Sequence, residues 1–416
     1  MGKMKDSGID WIGDIPESWK IVRNKNLFNC TKIIVGEDWK KNQLLSLTTK
    51  GVVKKEFNNL LGKLPESFST YQRVNKNNMI MCLFDLDCSA VFSGISRYDG
   101  IISPAYKILN CKKNIFPLYA DFWFRFIFQG RKFKIYSKNL RYTLSYDEFS
   151  VLPIITPNFD EQQKIANFLD KKCGEIDNII TRTKATIEEY KKLKQSVITQ
   201  AVTKGIRKNR PMKDSGIDWI RKIPIDWLLI RIKWLLNERN ERSVLGKEEP
   251  LSMSQKYGII PTKQMDIIPN MASSFIGAKL CYKNDLIFNK LKAHLGVFAV
   301  SNYDGLVSPD YAVYYSTNRA LLKFLEYLFK TPQYIGEFRK KSTGVGAGLT
   351  RLYTSELFSI YCAIPPICEQ YEIIDYLNKK CSEIDKLIQK KEQLLDELEN
   401  YKKSLIYEYV TGKKEV

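Results

Sequence analysis

The sequence has very little histidine and no long apolar run. Its single histidine, His294, leaves one candidate base for a Ser-His-Asp or Cys-His nucleophile, and no Gly-x-Ser-x-Gly segment accompanies it. No stretch approaches the ~18 consecutive apolar residues that a membrane-spanning helix needs. The sequence therefore predicts neither a hydrolase of this kind nor a membrane protein.

The usual motifs for bound cofactors and metals are also absent. There is no Gly-x-x-x-x-Gly-Lys-Ser/Thr phosphate loop and no Asn/Asp-Pro-Pro-Tyr/Phe loop of the kind used in adenine methylation. The nine cysteines lack the close spacing of a zinc site or a disulfide framework, and the N-terminal residues show no apolar signal segment. We expect no catalytic residues, no metal and no cofactor on this chain, and a cytoplasmic location with reduced thiols.

Positive charge, in contrast, is abundant. The 416 residues include 66 Lys and Arg against 46 Asp and Glu, which gives a net charge of +20. Hydrophobic residues make up 44% and aromatic residues 12% of the chain, so it is expected to fold into globular domains. An electrostatic field of this sign favours a polyanionic partner, and nucleic acid is the first candidate.

The chain contains an internal sequence repeat. The nine residues 4–12 recur letter for letter at 212–220, an offset of 208, which is half of 416. Further matches at about the same offset are Tyr98-Asp99-Gly100 with Tyr303-Asp304-Gly305, and Glu161-Gln162 with Glu369-Gln370. Between these landmarks the stretches 20–150 and 228–358 share only short islands. This unevenness indicates one fold that carries two different surfaces, although neutral drift after an old duplication is the simpler alternative.

A long apolar stripe with alternating three- and four-residue steps runs through the end of each copy. It predicts two helices of ~40 residues, or ~60 Å, which stop near Gly205 and Gly412. A stripe this narrow is typical of helices that pack on each other, and pseudo-twofold symmetry would make them antiparallel. Two separate core helices are the alternative. The predicted seam consists of Ile165, Leu169, Ile176, Ile180, Ile187, Leu193 and Val197 with Ile373, Leu377, Ile384, Ile388, Leu395, Leu398 and Leu405.

The remaining regions have the mixed pattern of an α+β protein. Short apolar runs at 79–84 and 286–288 predict strands, and the aromatic blocks 116–128 and 321–329 have helical length. The sequence thus predicts a globular region at 1–158, a long helix with its linker at 159–208, a second globular region at 209–366 and a second long helix at 367–416.

Two basic clusters lie just ahead of the long helices. A charge run is usually a solvated face, but its occurrence at corresponding places in both copies favours contact with phosphates. The candidate DNA-binding residues are Arg131, Lys132, Lys134, Lys138 and Arg141 in the first copy, and Arg339, Lys340, Lys341, Ser342 and Arg351 in the second.

Taken together, these segments resemble the specificity (S) subunits of type I restriction-modification systems. The residues that carry the resemblance are 6–19 and their repeat, 365–377, 196–205 and 404–413; a departure is Thr156-Pro157, where the family usually shows Pro-Pro. The resemblance implies two target recognition domains separated by two antiparallel coiled-coil helices. Each domain would read one half of a bipartite, asymmetric target in double-stranded DNA.

The resemblance also implies partners. Methyltransferase (M) subunits with S-adenosylmethionine would dock on the helices, restriction (R) subunits with ATP and Mg would complete the nuclease, and no catalysis would reside in this chain. Two alternatives stay open: the specificity subunit of a related bifunctional methyltransferase-nuclease, and a basic coiled-coil scaffold that binds RNA or an acidic protein.

Overall fold

The chain forms two compact units. The computed structural model describes residues 3–49, 51–57, 67–86, 91–130, 132–136, 142–254, 257–267, 274–344 and 350–416, without the side chains of 133 and 134. The first unit comprises 1–184 and 392–416, and the second comprises 185–391. In the described ranges, no helix combines the length and the apolar character needed to cross a bilayer.

Where the structure describes it, the first unit contains short strands, short helices and part of each long helix. Its helices are α1 (Asn24–Leu27), α2 (Pro117–Gln129), α3 (Tyr146–Val151) and α4 (Phe159–Lys204), with 3-10 turns at Gly36–Lys41 and Lys132–Ile135. Its strands are β1 (Met4–Asp6), β2 (Asp14–Pro16), β3 (Lys20–Arg23), β4 (Phe28–Thr31), β5 (Leu44–Thr48), β6 (Gly51–Lys55), β7 (Gln72–Val74), β8 (Met79–Met81), β9 (Ser93–Ile95), β10 (Gly100–Ile102), β11 (Lys107–Cys111) and β12 (Pro153–Thr156).

The second unit repeats this plan. Its helices are α5 (Leu322–Phe329), α6 (Pro332–Lys341), α7 (Thr354–Ser359) and α8 (Ile367–Val410), with 3-10 turns at Ile232–Trp234, Thr262–Gln264 and Ala293–Leu295. Its strands are β13 (Met212–Asp214), β14 (Lys222–Pro224), β15 (Leu228–Arg231), β16 (Leu236–Arg239), β17 (Leu251–Ser254), β18 (Gly258–Pro261), β19 (Lys279–Cys281), β20 (Leu286–Asn289), β21 (Phe298–Val300), β22 (Gly305–Val307), β23 (Tyr311–Ser316), β24 (Thr343–Gly344), β25 (Thr350–Arg351) and β26 (Tyr361–Ile364).

Most strand pairings of the first unit recur in the second. A four-stranded antiparallel sheet has the order β4-β11-β8-β9 in the first unit and β16-β23-β20-β21 in the second. Hairpins β1-β2 and β13-β14, and the pairs β3-β12 and β15-β26, also correspond. The strand β10 joins β5 and β7 in one four-stranded sheet, whereas the second unit divides the equivalent strands between β17-β18 and β19-β22. The mixed α+β class predicted from the sequence is confirmed.

The repeated Tyr-Asp-Gly motif shapes a tight passage between strands. The Asp99 carboxylate accepts the Lys76 N–H at 2.7 Å, and its counterpart Asp304 accepts the Lys283 N–H at 2.6 Å. A Cβ on Gly100 would lie 2.3 Å from a backbone carbonyl oxygen, and the same distance holds for Gly305. Only a residue without a side chain fits this approach, so the motif has a structural role.

The repeated Glu-Gln dipeptide attaches each long helix to its own unit. The buried Gln162 side chain accepts the Phe116 N–H at 2.8 Å and donates to the Pro157 carbonyl at 3.0 Å. Gln370 makes the equivalent bonds, to the Leu321 N–H at 2.7 Å and the Pro365 carbonyl at 2.9 Å. Because Gln162 and Gln370 are buried, their amides pair with backbone groups that have reduced access to water.

The two long helices run antiparallel where they meet within each unit. In the first unit Asp177 pairs with Lys402 at 2.6 Å and Lys184 with Glu399 at 3.9 Å, so later residues of α4 meet earlier residues of α8. In the second unit Lys194 pairs with Asp385 at 2.7 Å. Adding 208 converts Asp177 into Asp385 and Lys194 into Lys402, so the two closest pairs are the same interaction in its two copies. The predicted antiparallel packing is confirmed.

Burial along the helices follows most of the predicted seam. Leu193 departs from it, because 49% of its surface is exposed and the stripe passes on either side of it, at Ile187 and Val197. Buried positions are Ile165, Leu169, Ile176, Ile187, Ile373, Leu377, Ile384 and Leu405, and half-buried positions are Ile180, Val197, Ile388, Leu395 and Leu398.

The helices begin where the sequence places the domain boundaries, at Phe159 and Ile367. They do not form compact units of their own, however. Each unit takes about half of α4 and half of α8 into its own core, with Leu169 and Leu405 in the first and Val202 and Leu377 in the second. The division of the chain therefore cuts across both helices.

Candidate nucleic-acid interface

The second predicted basic cluster gathers at one end of α6. This helix starts at Pro332, whose fixed φ and missing N–H suit a first turn, and its last turn holds Arg339, Lys340 and Lys341. Cations are favoured there by the negative end of the helix dipole. The β24-β25 hairpin follows directly and pairs Thr343 with Arg351. The fold thus brings all five predicted residues of this cluster to neighbouring elements.

Most of these cations already have carboxylate partners. Lys340 lies 2.7 Å from Glu337, Lys341 lies 3.6 Å from Glu356, and Arg351 lies 3.3 Å from Asp310. The pairs involving Lys340 and Lys341 are at the surface and are worth only ~0–1 kcal/mol each, so phosphate oxygens can replace the carboxylates.

Arg339 and Ser342 differ from these three residues. In the described ranges, the exposed Arg339 has no ion pair, which leaves its guanidinium available. The Ser342 hydroxyl donates to the Phe338 carbonyl at 2.6 Å and so closes the helix end. This bond gives Ser342 a structural role within the cluster.

A lysine that the sequence analysis did not single out lies beside this cluster. Lys290 follows strand β20, and its carbonyl accepts the Leu352 N–H at 3.0 Å, next to Arg351. Desolvation, reinforced by the nearby charge of Lys279, lowers the pKa of Lys290. An incoming anion would oppose both effects and favour the charged form. The only signal in the sequence is a basic residue directly after an apolar strand.

A cavity of about 640 Å³ opens close to these residues in the second unit. Its lining combines hydroxyl groups of Ser252, Ser308 and Tyr311 with the cation Arg242 and the apolar Met253. Tyr311 directly follows Asp310, the partner of Arg351, so the cavity adjoins the basic residues. Side chains of these types supply the donors, acceptors and apolar contacts that distinguish base edges.

The first predicted basic cluster can be located only at Lys132. Its ammonium lies 5.6 Å from the ring centroid of Trp11, within cation-π range. Arg131, Lys138 and Arg141 lie outside the described residues, as does the side chain of Lys134, and they stay predictions.

Three buried or half-buried thiols are poor candidates for covalent chemistry. Desolvation raises the pKa of Cys111 and Cys362 to about 12 and that of Cys173 to about 11, so these thiols stay protonated near neutral pH. Where the structure describes the chain, no three His, Cys, Asp or Glu residues form a group suited to a metal ion. The half-buried His294 has an Nδ1 atom without a hydrogen-bond partner in the same ranges.

Known proteins resemble this chain in sequence and in fold. No protein-family model matches the chain. The MjaX type I restriction enzyme specificity subunit of Methanocaldococcus jannaschii is 25% identical over 315 residues, which is 73% of this chain and 69% of that protein. The MjaVIII type I restriction enzyme specificity subunit of the same organism is 22% identical over 64% of this chain, and the match spans 63% of its length.

The fold has a solved counterpart. A chain from a study of complex assembly and conformational transition in a type I restriction-modification system aligns with a TM-score of 0.70. The alignment covers 96% of this chain and 99% of that one at 12% identity, so it bears on the fold. The chain is therefore similar in sequence to type I restriction enzyme specificity subunits, and it shares its fold with a chain from a type I restriction-modification system.

Proposed function

We propose that this chain is the non-catalytic DNA-recognition subunit of a type I restriction-modification enzyme. Each unit reads one half of a bipartite, asymmetric target in double-stranded DNA. The observation that carries this proposal is the contrast between the strand pairings that the two units share and the low sequence similarity of the stretches 20–150 and 228–358. Two different surfaces on one scaffold imply two different half-sites.

The basic patch of the second unit supports a nucleic-acid partner. Arg339 is free of carboxylate partners in the described ranges, and a phosphate would oppose the desolvation that lowers the pKa of Lys290. Phosphate contacts position a protein on the duplex, whereas the neighbouring cavity offers groups that can read base edges. We therefore assign α6, Lys290 and the 640 Å³ cavity to one continuous interface with DNA.

The long helices are proposed to have two roles, which are to fix the interval between the half-sites and to dock the partner subunits. Both helices are continuous, with 46 residues in α4 and 44 in α8. Methyltransferase (M) subunits would bring S-adenosylmethionine, and restriction (R) subunits would bring ATP and Mg. The chain itself would bind no cofactor.

Selection from a random duplex library tests recognition. The full chain with its methyltransferase subunits should enrich one motif with two unlike halves and a fixed gap. Arg339→Ala should weaken binding to all sequences and reduce the log-log salt slope by ~0.9, the value for one lost phosphate contact. The matched control is Lys323→Ala, which removes a cation bound to the buried Glu326. Enrichment of a palindrome, or of no motif, would contradict the proposal.

Helix length tests the interval. Seven residues inserted after Lys184 and seven after Lys391 add one heptad to each helix, which keeps the seam in phase. Each insertion adds ~10.5 Å, so the gap between half-sites should widen by ~3 base pairs. Mapping of methylated adenines gives the gap directly. An unchanged gap would refute the role of the helices as a spacer.

The two rival functions are separated by simple assays. Competition between duplex DNA and RNA at physiological salt distinguishes a DNA reader from an RNA-binding scaffold. Purification of the natural complex identifies whether the nuclease is a separate restriction subunit or is fused to the methyltransferase.

A further inference from the structure

A tryptophan and a glutamate form the same pair in both units. The Trp227 indole N–H donates to a Glu369 carboxylate oxygen at 3.2 Å, and the Trp19 indole N–H donates to Glu161 at 3.1 Å. Both tryptophans are buried. We call each pair, with the side chains around it, a corner of its unit. The two corners share one geometry, in which an indole N–H donates to a carboxylate.

In the second unit an arginine completes the corner. Arg210 pairs with Glu369 and also bonds to Asp226, with the closest Nη2-to-Oδ1 distance at 2.5 Å. Its guanidinium carbon lies 5.8 Å from the Trp227 ring centroid, and only 10% of its side chain is exposed. Glu369 itself is 1% exposed. The corner is thus a closed guanidinium site with two carboxylates and an aromatic ring.

In the first unit the corresponding arginine is missing. The residue 208 positions before Arg210 is Gly2, which carries no side chain, and Ser18 stands in the place of Asp226. Glu161 is partly exposed and, in the described ranges, has no ion pair. The same indole and carboxylate are therefore present without their cation.

A cavity lies where the guanidinium would be. It has a volume of about 530 Å³, and Trp19, Ser18 and Glu161 form one part of its lining. Lysines 3 and 414 also reach it, but Lys414 is bound to Glu408 at 2.8 Å. The acidic residues Glu17 and Glu415 add negative charge at the same cavity. The cavity is open to a group from outside the chain.

We propose that the cavity beside Trp19 and Glu161 binds the guanidinium of an arginine side chain on a partner polypeptide. The planar fork of arginine can bond to a carboxylate while its face lies on an aromatic ring, and a lysine ammonium cannot do both in this way. The second unit contains this combination within one chain. The inference stands apart from DNA recognition, because it uses none of the residues assigned to the DNA interface.

A peptide copied from the chain tests the proposal. The probe is the acetylated and amidated pentapeptide with the sequence of residues 208–212, Lys-Asn-Arg-Pro-Met, titrated into the full chain by calorimetry. It should bind with a dissociation constant below about 10 mM, and a peptide with citrulline in place of arginine should bind at least tenfold more weakly, since citrulline keeps the shape and loses the charge.

Two variants locate the binding. Glu161→Gln should weaken binding at least tenfold, whereas Glu17→Gln, an exposed carboxylate at the same cavity, should change it less than twofold. If Glu161→Gln alters the circular dichroism spectrum, Glu161→Asp, which keeps the charge and shortens the side chain, replaces it and should weaken binding at least threefold. Competition by methylguanidinium, with methylammonium as control, then tests the chemistry of the site.

The outcomes decide the proposal. Equal binding of the arginine and citrulline peptides, unchanged binding to the glutamate variants, or no binding up to 10 mM overturns it. Methylguanidinium that binds as tightly as the peptide overturns the polypeptide as the source of the group and assigns the site to small guanidinium compounds. DNA binding by the chain is measured in parallel and does not affect either conclusion.

Discussion

The two units differ most where their sequences differ and hardly at all where letters repeat. The Gln162 and Gln370 side chains accept backbone N–H groups at 2.8 and 2.7 Å, whereas the pairing of Arg351 with Asp310 belongs to the divergent sequence of the second unit. These repeated glutamines hold each long helix to its unit, whereas the stretches 20–150 and 228–358 differ in sequence. Such a difference is what the proposed recognition of two unlike half-sites requires.

The largest expected effect concerns the glycine of the repeated Tyr-Asp-Gly motif. Gly100→Ala and Gly305→Ala should each lower the free energy of unfolding by about 2–3 kcal/mol, because the new methyl group meets a backbone carbonyl. Chemical denaturation measures the effect. The control Gly174→Ala, which has open space at a helical position, should be neutral or slightly stabilising. Unequal losses of unfolding free energy at the two motif glycines would show that the two units are not equivalent at this motif.

The repeated glutamines should give the next largest effect. Gln162→Ala and Gln370→Ala should each cost about 2 kcal/mol, since each removes a buried side chain that bonds to a partly buried backbone N–H and to a carbonyl. The neighbouring Gln163→Ala serves as the control and should stay within about 0.5 kcal/mol. Hydrogen exchange at the start of α4 and of α8 would show whether each loss stays in its own unit.

Acid should weaken the pairing of Asp226 with Arg210 in the second unit. Desolvation opposes ionisation of Asp226, but its backbone hydrogen bond and Arg210 outweigh this effect and lower its pKa. The resulting stabilisation is present above the unfolded pKa of ~3.9 and disappears as pH falls through the lower folded pKa. Because Asp226 is largely exposed, we expect less than about 1 kcal/mol.

Asp226→Ser, which installs the residue of the first unit, provides the measurement. The stability difference between this variant and the parent chain should be constant from pH 7 to about 5 and should decrease as the pH falls through the lowered folded pKa of Asp226. A difference that grows as the pH falls would show that the carboxyl is held in its neutral form.

The smallest effect is expected at the two equivalent helix-to-helix ion pairs. Double-mutant cycles on Asp177 with Lys402, and on Asp385 with Lys194, should each give a coupling of about 0.5 kcal/mol that falls in 0.5 M NaCl. Each cycle uses the two single alanine replacements and the double replacement, and thermal unfolding measures the stability of each variant. Couplings that differ by more than about 1 kcal/mol would show that the two ends of the helix pair are not equivalent.

The parts of the structure that depend on local periodicity could be predicted from the sequence. The repeated three- and four-residue steps from Ile165 onward specify a helix face without reference to the rest of the chain, and the repeat supplies the second helix. Leu193 fits the same spacing but lies outside the seam, because the helix twist moves the stripe past it. Spacing alone does not reveal that drift.

The electrostatics of the interface could not be predicted in the same way. Arg351 is neutralised by Asp310, which is 41 residues away, and the low pKa of Lys290 arises from burial. Both effects depend on neighbours that only the folded chain provides. The basic residues in the sequence therefore identify the second basic cluster at the end of α6. They do not distinguish Arg339 from the cations that already have carboxylate partners.

The discontinuous make-up of the first unit has a consequence for synthesis on the ribosome. Residues 185–391 form the second unit without interruption, whereas the first unit needs 392–416 to join 1–184. Synthesis of the first unit therefore begins before that of the second unit but is completed after it. Until Leu405 and Val410 emerge, the apolar face of Ile165 and Leu169 lacks part of its cover, and a nascent chain that stalls before this point exposes a surface for chaperones.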